Sequence, residues 1–577
     1  MRAHRIAIAA LPIFAALALA RASGDPSVNW VRGHAVRLKT PEAGHGFADM
    51  QPLKKIIGNA RIVALGEATH GTREFFQLKH RILEFLVAEM GFTIFSIEAN
   101  MPEAYRLNDF VLTGEGDPAK LLRGMYFWTW NTEEVLEMIH WMRKLNQSGK
   151  GRVEFTGFDM QTPNVAAEIV RDFVAAKDPD YAATLRETSD KAGVSGTGSG
   201  GNFGVATATF PLKDAVGKRV RYSGYIKTSG ITRGWAGLWW QVDGDSGTLA
   251  FDNMQTRGAT GTADWKRYEI ELPVAAGAKN IAFGALHTGD GTAWFDGLAV
   301  ELDGVLYLDQ NELDLDFESP SPKGFQIKGS GYKVALDTAV FHSGKQSLQI
   351  TNTVDHKTAA SWKEVVQHLE TSREAYRAKG AAVREIDWVI QNARVVLQSI
   401  QLKLNEVARD RSMADNVKWI LDHSPESKVV LWAHNAHVAK KDIGAPSGTL
   451  EPMGATLSKA FGDQMVVFGF AFNQGSFQAI GQGKGLKDFT VPPAQPGSLD
   501  AALAAAAIPL FALDLRQAPK NGPVARLLRE RHPSRNIGAF YSDEHPERYW
   551  ADMNTADSFD ALLFVEKTTA ARKNPGR

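Results

Sequence analysis

The sequence predicts an α/β protein, with helices around a largely parallel sheet, interrupted by an inserted jelly-roll-like β-sandwich. Three observations carry this prediction. Short apolar runs alternate with amphipathic helical runs from about Ala35 to Tyr181, and the alternation returns after Ser361. Between these stretches lie many short alternating strands with glycine and aspartate turns. Residues able to do chemistry recur directly after the apolar runs, where open α/β sheets place their reacting groups. The expected organisation is a leader over 1–22, a first α/β part over 23–188, the sandwich over 189–356 and a second α/β part over 357–577.

The start of the chain reads as a secretory signal. Arg2 and Arg5 precede an apolar stretch from Ile6 to Leu19, and Ala20-Arg21-Ala22 offers a small-x-small cleavage site. The stretch is short for a membrane anchor. The mature protein is therefore expected in the periplasm or secreted, with no membrane association after cleavage near Ala22. The formal net charge of zero gives no electrostatic reason to expect a nucleic-acid partner. There is no cysteine, which removes thiol nucleophiles, disulfides and cysteine metal sites together.

Arg61–Leu65 reads as a buried strand leading into Gly66-Glu67-Ala68-Thr69-His70-Gly71. Phe75, Leu78, Ile82, Leu83, Phe85 and Leu86 then recur at helical spacing up to a stop at Gly91. Thr93–Ile97 reads as a second strand and ends on Glu98; Arg152–Gly157 reads as a third and delivers Asp159. Pro102–Leu112, Thr132–Leu145 and Pro163–Val174 read as helices. An aromatic knot, Tyr126-Phe127-Trp128-Thr129-Trp130, lies among them.

Gly193–Phe203 has the composition of a linker. From Gly204 to about Thr353 the strands are short, as in Val220–Thr228, Trp235–Val242, Trp265–Leu272 and Lys279–Leu286. This segment resembles the carbohydrate-binding-type jelly rolls of exported enzymes. Leu315-Asp316-Phe317-Glu318 and His342-Ser343-Gly344-Lys345 close the segment, although such motifs usually open the module, a circularly permuted order. Trp235, Trp239, Trp240 and Trp294 are candidates for a glycan platform, with core packing as the stronger reading. Helices follow over Val365–Ala378, Ala381–Leu404 and Asn405–His423. Strands return at Lys428–Trp432, Gln464–Phe470, Ile508–Leu513 and Ala561–Val565, the first ending in Ala433-His434-Asn435-Ala436-His437.

Four polar clusters thus converge on one sheet edge: Glu67 with His70, Glu98, Asp159, and His434 with His437. A carboxylate three residues before an imidazole in a turn can orient it to take a proton from water. The chain lacks a G-x-S-x-G elbow, a G-x-x-x-x-G-K-[ST] loop and an H-E-x-x-H helix. No cofactor is required by these residues. The same Glu/His set could alternatively hold zinc or another divalent ion in a hydrolase or peptidase.

The motifs around Glu67-Ala68-Thr69-His70, Glu74-Phe75, Ile97-Glu98-Ala99, Phe158-Asp159 and Trp432-Ala433-His434-Asn435-Ala436-His437 resemble the erythromycin esterase family. Arg411–Asn416 and Phe559–Phe564 agree as well. The resemblance implies an α/β hydrolase of carboxylic esters, with macrolide lactones among the substrates of some members. It makes His70 the base that activates water, Glu67 its orienting partner, and Glu98, His434 and His437 the rest of the catalytic centre. The basic residue of the first helix falls on Lys79, where well-known members carry arginine. The expected mechanism has a protonated His434 or His437, with Lys79, stabilising the oxyanion. Lys79, Asp159, Trp128 and Trp432 are the expected substrate contacts, with core packing as the competing reading for the aromatics. The expected partner is a small-molecule ester or lactone, with glycan as a second ligand through the inserted module. A glycan-binding protein without turnover is the third alternative.

Overall fold

The computed structural model describes residues 24–574 apart from 192–202, 245–246, 309–312, 322, 329–330, 355, 405–408, 442, 444–450 and 482–484. The leader, most of the Gly193–Phe203 linker and the start of the Asn405–His423 run lie outside the described residues. Among the described residues, no helix is long and apolar enough to cross a membrane. The chain divides into two compact units, one comprising 1–159, 408–479 and 488–577, the other 160–407 and 480–487. The second unit is larger than the segment 189–356. It takes in the helices Asn164–Lys177 and Pro179–Lys191 before the sandwich and His356–Thr371 and Val383–Lys403 after it.

The first unit is built on a mixed sheet. Its strands are β1 (Val36–Arg37), β2 (Ile62–Leu65), β3 (Ile94–Asn100), β4 (Glu154–Asp159), β5 (Val429–Trp432), β6 (Met465–Gly481), β7 (Leu510–Asp514) and β8 (Ala561–Thr568). Their order across the sheet is β1-β7-β8-β6-β2-β5-β3-β4, and two further strands, Gly485–Val491 and Phe540–Tyr541, pair with β6. The run from β8 to β4 is parallel. The β7 strand, expected from Ile508–Leu513, instead pairs antiparallel with β8, and β1 does so with β7. Strands β2 and β5 are buried at every position, as strands covered on both faces must be.

Register explains why the polar clusters meet. Trp432 of β5 stands opposite Leu65 of β2 and Ile97 of β3, and Ile97 stands opposite Gly157 of β4. Past this level β2 and β5 end, while β3 and β4 run on to Asn100 and Asp159. Glu67, His434, Glu98 and Asp159, one or two residues further on, therefore emerge at one C-terminal edge.

Helix α1 (Arg73–Met90) follows β2 and buries Phe75, Phe76, Leu78, Ile82, Leu83, Phe85 and Leu86. It ends where the sequence predicts, with Gly91 at φ 71° and its N–H returned to Leu86 O. Helix α2 (Met101–Thr113) ends on left-handed Gly114, and α3 (Glu133–Ser148) starts with the Thr132 hydroxyl accepting from Val135 N. Helix α4 (Arg409–Asp422) precedes β5, and the single-turn α5 (Asn435–Val438) follows it. The apolar core joins α1, α3 and the sheet through Phe76, Leu83, Phe95, Trp130, Ile139, Trp432 and Phe468.

In the second unit the strands between Phe203 and Asn352 form an antiparallel array with its own core, including Tyr222, Trp240, Phe283, Phe295 and Leu348. The long strand Arg219–Gly244 pairs with Thr292–Leu302 over its first half and with Ala278–Thr288 over its second. A strand that changes partner in this way ties the layers of a sandwich together. Trp240 is part of this core, Trp235 and Trp239 are half-buried, and Trp294 donates its indole N–H to Asp337 at 2.8 Å.

Candidate active site

The turn after β2 places Glu67 and His70 side by side. The His70 Nδ1–H donates to Glu67 Oε1 at 2.5 Å. This fixes the tautomer: Nε2 carries the lone pair that can take a proton. Glu67 is fully buried, and its second oxygen accepts from Lys79 Nζ at 2.7 Å and from Trp432 Nε1 at 2.8 Å. Burial alone would push its carboxyl up, but the Lys79 charge and the His70 hydrogen bond hold it below the usual carboxylate range. Lys79 pays the converse cost, and burial draws its ammonium down to about 8 despite Glu67. Its Nζ also sits 4.2 Å from the centroid of the Trp432 ring.

The backbone of this turn depends on glycine. A Cβ on Gly66 would fall 2.1 Å from Asn435 Oδ1. Asn435 uses that close approach to clamp β6, accepting from Phe470 N at 3.1 Å and donating to Phe470 O at 2.8 Å.

A second group forms around Glu98. Arg409, at the start of α4, donates to Glu98 Oε1 at 2.7 Å and to both oxygens of Asp159 at 3.1 and 2.5 Å. Glu98 Oε2 accepts the backbone N–H of His434 at 3.0 Å. Burial would raise the Glu98 carboxyl, yet His437, Arg409 and His70 together keep it ionised far into acid. His437 Nδ1 meets both oxygens of Asp410 at 2.9 and 3.1 Å, and its Nε2 stands 3.0 Å from Arg409 Nη1 and 3.4 Å from Glu98 Oε1. Burial works against charge on His437, but Glu98 and Asp410 outweigh it and raise its pKa.

The structure brings Glu67, His70, Glu98, His434, His437 and Asp159 to one region. The ring centroids of His70 and His434 are 5.1 Å apart. It also corrects several expected roles. His434 is not the protonated acid: burial, with His70 and His437 nearby, draws its pKa down to about 3. Both its nitrogens are engaged, Nε2 with Ile537 O at 3.1 Å and Nδ1 as acceptor from Ala436 N at 3.3 Å. Lys79 and Asp159 have no exposed surface and are committed to Glu67 and Arg409, so neither is available to a substrate. Trp432 is likewise buried, wedged between Phe76 and Trp130. Trp128 alone of the expected substrate contacts is half-exposed, with its ring 6.5 Å from that of His70.

Arg409 and Asp410 were not legible as site residues, whereas Trp130 belongs to the Tyr126–Trp130 knot that the sequence offers as pocket lining or core. Trp130 packs edge-on to His70 and donates to Glu98 O at 2.9 Å. Arg409 and Asp410 read in the sequence as an ordinary charged helix start. Their only signal was proximity to the Arg411–Asn416 motif. Among the described residues, no group of three or more His, Asp or Glu side chains is arranged to hold a metal ion. The donors that the metal-dependent alternative would use are instead filled by protein cations and N–H groups: Glu67 by His70, Lys79 and Trp432, and Glu98 by Arg409 and the His434 amide.

A buried carboxylate–imidazole pair at the C-terminal edge of a parallel sheet, with a fixed cation group beside it, is an arrangement able to take a proton from water. Comparison with known proteins gives the family. The erythromycin esterase family model matches residues 87–215 and 330–568, more than half of the chain, and the chain belongs to that family. An erythromycin esterase type II from Escherichia coli is 32% identical over 160 residues, covering 26% of this chain and 36% of that protein. YbfO of Bacillus subtilis, a proposed hydrolase, is 32% identical over 181 residues, covering 30% of this chain and 38% of its own. The aligned stretches thus span little more than a third of these relatives' length. A Bacillus cereus protein of known structure superposes with a TM-score of 0.60 at 20% identity, covering 95% of this chain and 98% of its own. A mutant erythromycin esterase in an open conformation gives 0.50 at 13% identity, covering 92% and 96%. These two likenesses establish the fold.

Proposed function

We propose that this protein hydrolyses a carboxylic ester or lactone, a macrolide lactone among the candidates, by histidine-activated water. The observation that carries the reading is the Glu67–His70 pair, buried and with its tautomer set. His70 Nε2 takes a proton from water as the oxygen attacks the ester carbonyl, and the carboxylate of Glu67 balances the imidazolium that forms. Among the described residues, no serine or threonine hydroxyl bonds to the His70 ring, which suits water rather than a side chain as nucleophile.

The oxyanion needs a cation that a substrate can approach. Lys79 is sealed against Glu67, whereas the Arg409 side chain keeps 21% exposure and stands beside His437. Arg409 therefore takes the oxyanion-stabilising role, and His437 is the acid that returns a proton to the leaving alkoxide. Trp128 offers the apolar surface nearest the base. Export to the periplasm or medium rests on the Met1–Ala22 pattern alone, and a glycan ligand for the inserted module on the resemblance of that segment.

The test is hydrolysis of a panel of macrolides and simple acyl esters by wild type and His70→Ala, each with and without chelator. Turnover lost in the variant and indifferent to chelator is the expected result. Turnover retained by His70→Ala on every cleavable ester overturns the assignment of the base. Loss on chelation would move the reading to a metal-dependent hydrolase.

A further inference from the structure

The site holds two carboxylate–imidazole pairs. The first is Glu67 with His70, to which the proposed function assigns the base. The second is Asp410 with His437, whose Nδ1 lies 2.9 and 3.1 Å from the two carboxylate oxygens. An ionised carboxylate only accepts hydrogen bonds, so Nδ1 of His437 carries the proton of that contact. Asp410 is itself fixed. It lies in the first turn of α4, where a helix start favours negative charge, and its Oδ1 also accepts from Met453 N at 2.8 Å. Its side chain is 12% exposed, against 20% for that of His437.

The two pairs are not equivalent. Glu67 divides its oxygens, one serving His70 and the other Lys79 and Trp432, whereas Asp410 turns both of its oxygens to His437. The other nitrogen of His437, Nε2, stands between opposite charges, Glu98 Oε1 at 3.4 Å and Arg409 Nη1 at 3.0 Å. A charged ring donates its Nε2–H to Glu98, and a neutral ring accepts there from Arg409. Nε2 thus has a partner in either protonation state, and the ring need not turn between them. The groups facing His437 among the described residues are Glu98 from β3, Arg409 and Asp410 from α4, and neutral His434 three residues earlier. Burial disfavours charge on the ring, but Glu98 and Asp410 outweigh it.

We propose that Asp410 is a positioning residue of the hydrolytic site, holding the Nδ1–H of His437 so that Nε2 delivers a proton to the leaving alkoxide. The role rests on the hydrolytic reading above. In the step itself the bond between the carbonyl carbon and the leaving oxygen breaks, and its electron pair stays on that oxygen. The oxygen takes the Nε2 proton, and His437 is left neutral with its Nδ1–H still on Asp410. His70 meanwhile holds the proton drawn from water, and passage of that proton to His437 through solvent closes the cycle. Asp410 acts through the ring.

Asp410→Asn in the full chain tests this. An amide has one acceptor oxygen, which the Met453 N–H can claim, and it then turns its NH2 group toward Nδ1. The neutral ring moves its proton to Nε2, and the charged ring loses its anion. The first readout needs no turnover. It is the nitrogen chemical shifts of isotope-labelled histidine, with the His437 signals assigned by their absence from His437→Asn. Neutral His437 should carry its proton on Nδ1 in the wild type and on Nε2 in Asp410→Asn. The wild-type tautomer decides the point even where Asp410→Asn fails to fold, and thermal unfolding of each variant monitors that. The second readout compares ethyl butyrate with p-nitrophenyl butyrate, which share an acyl group and differ in the leaving group's need for a proton. Asp410→Asn should lower kcat on the ethyl ester about a hundredfold or more, the scale of general acid catalysis, and leave the p-nitrophenyl ester nearly unchanged. Asp410→Glu should recover part of the loss. A wild-type ring with its proton on Nε2, or the same tautomer in both proteins, overturns the proposal. Equal loss on both esters overturns it in favour of a structural role. Where the wild type cleaves neither ester, the wider panel decides the hydrolytic reading, and the tautomers alone decide whether Asp410 holds His437.

Discussion

Trp432 Nε1 and Glu67 Oε2 are 2.8 Å apart, joining two residues separated by most of the chain. Strands β2 and β5 are neighbours in register, so Leu65 and Trp432 lie side by side and the indole reaches the carboxylate that follows Leu65. Trp432→Phe keeps the ring and removes the donor. Because the acceptor is a buried charge, the expected cost is about 1.5–3 kcal/mol of stability. Urea denaturation of variant and wild type measures it.

Removing the proposed base is a different experiment. His70→Ala and Glu67→Gln should each lower kcat/KM by about 10²-fold or more, since a positioned general base contributes on that scale. The double variant should cost little more than either single one, because the two side chains act as a unit. Full additivity would show that they do not.

Lys79 is enclosed by the groups it pairs with. Its ammonium has no exposed surface and a snug set of partners in Glu67 and the Trp432 and Phe470 rings. Lys79→Arg forces a larger head into that space and should destabilise by about 1–3 kcal/mol. Lys79→Met leaves Glu67 with one cation fewer and should cost about 3–5 kcal/mol. Thermal and chemical unfolding read both, and a neutral Lys79→Met would contradict the pairing.

Arg409 bridges Asp159 and Glu98 through a guanidinium whose pKa, lowered by burial alone, is raised overall by those two carboxylates. Arg409→Met leaves two buried carboxylates without their cation and should cost about 3–5 kcal/mol. Asp159→Asn in that background should recover part of the loss, and a double-mutant cycle quantifies it.

Stability should fall in acid for a stated reason. Burial holds His434 at about 3 and His80 at about 4, both below the ordinary histidine value of 6.5. Between those values and 6.5 the unfolded chain binds more protons than the folded one, so stability is lost as pH falls through this window. Glu98, depressed by His437, Arg409 and His70 against the effect of burial, adds to the loss below 4.5. His437, raised by Glu98 and Asp410 against burial, acts in the opposite sense as pH rises through its folded value. His434→Gln should flatten the dependence between pH 6.5 and 4, measured as the urea midpoint against pH.

Some of this was settled by the sequence alone. The alternation of RIVAL, TIFSI and KVVLW with helical runs defines a parallel sheet, and Gly91 marks the end of α1, because apolar periodicity and a left-handed stop are local properties of the chain. The convergence of Glu67, His70, Glu98, Asp159, His434 and His437 was legible for the same reason: each follows a strand directly, and strand ends share an edge. The partner of each group was decided only by the tertiary structure. Whether Lys79 meets substrate or Glu67, whether Trp432 faces a cavity or the core, and which histidine carries charge depend on burial and on neighbours brought together by folding, 12 residues from Glu67 for its partner Lys79 and 365 for its partner Trp432. Arg409 belongs to that second kind, since a charged residue at a helix start becomes part of a site only when β3, β4 and α5 fold around it. Desolvation and pairing are properties of packing, and a sequence pattern does not contain them.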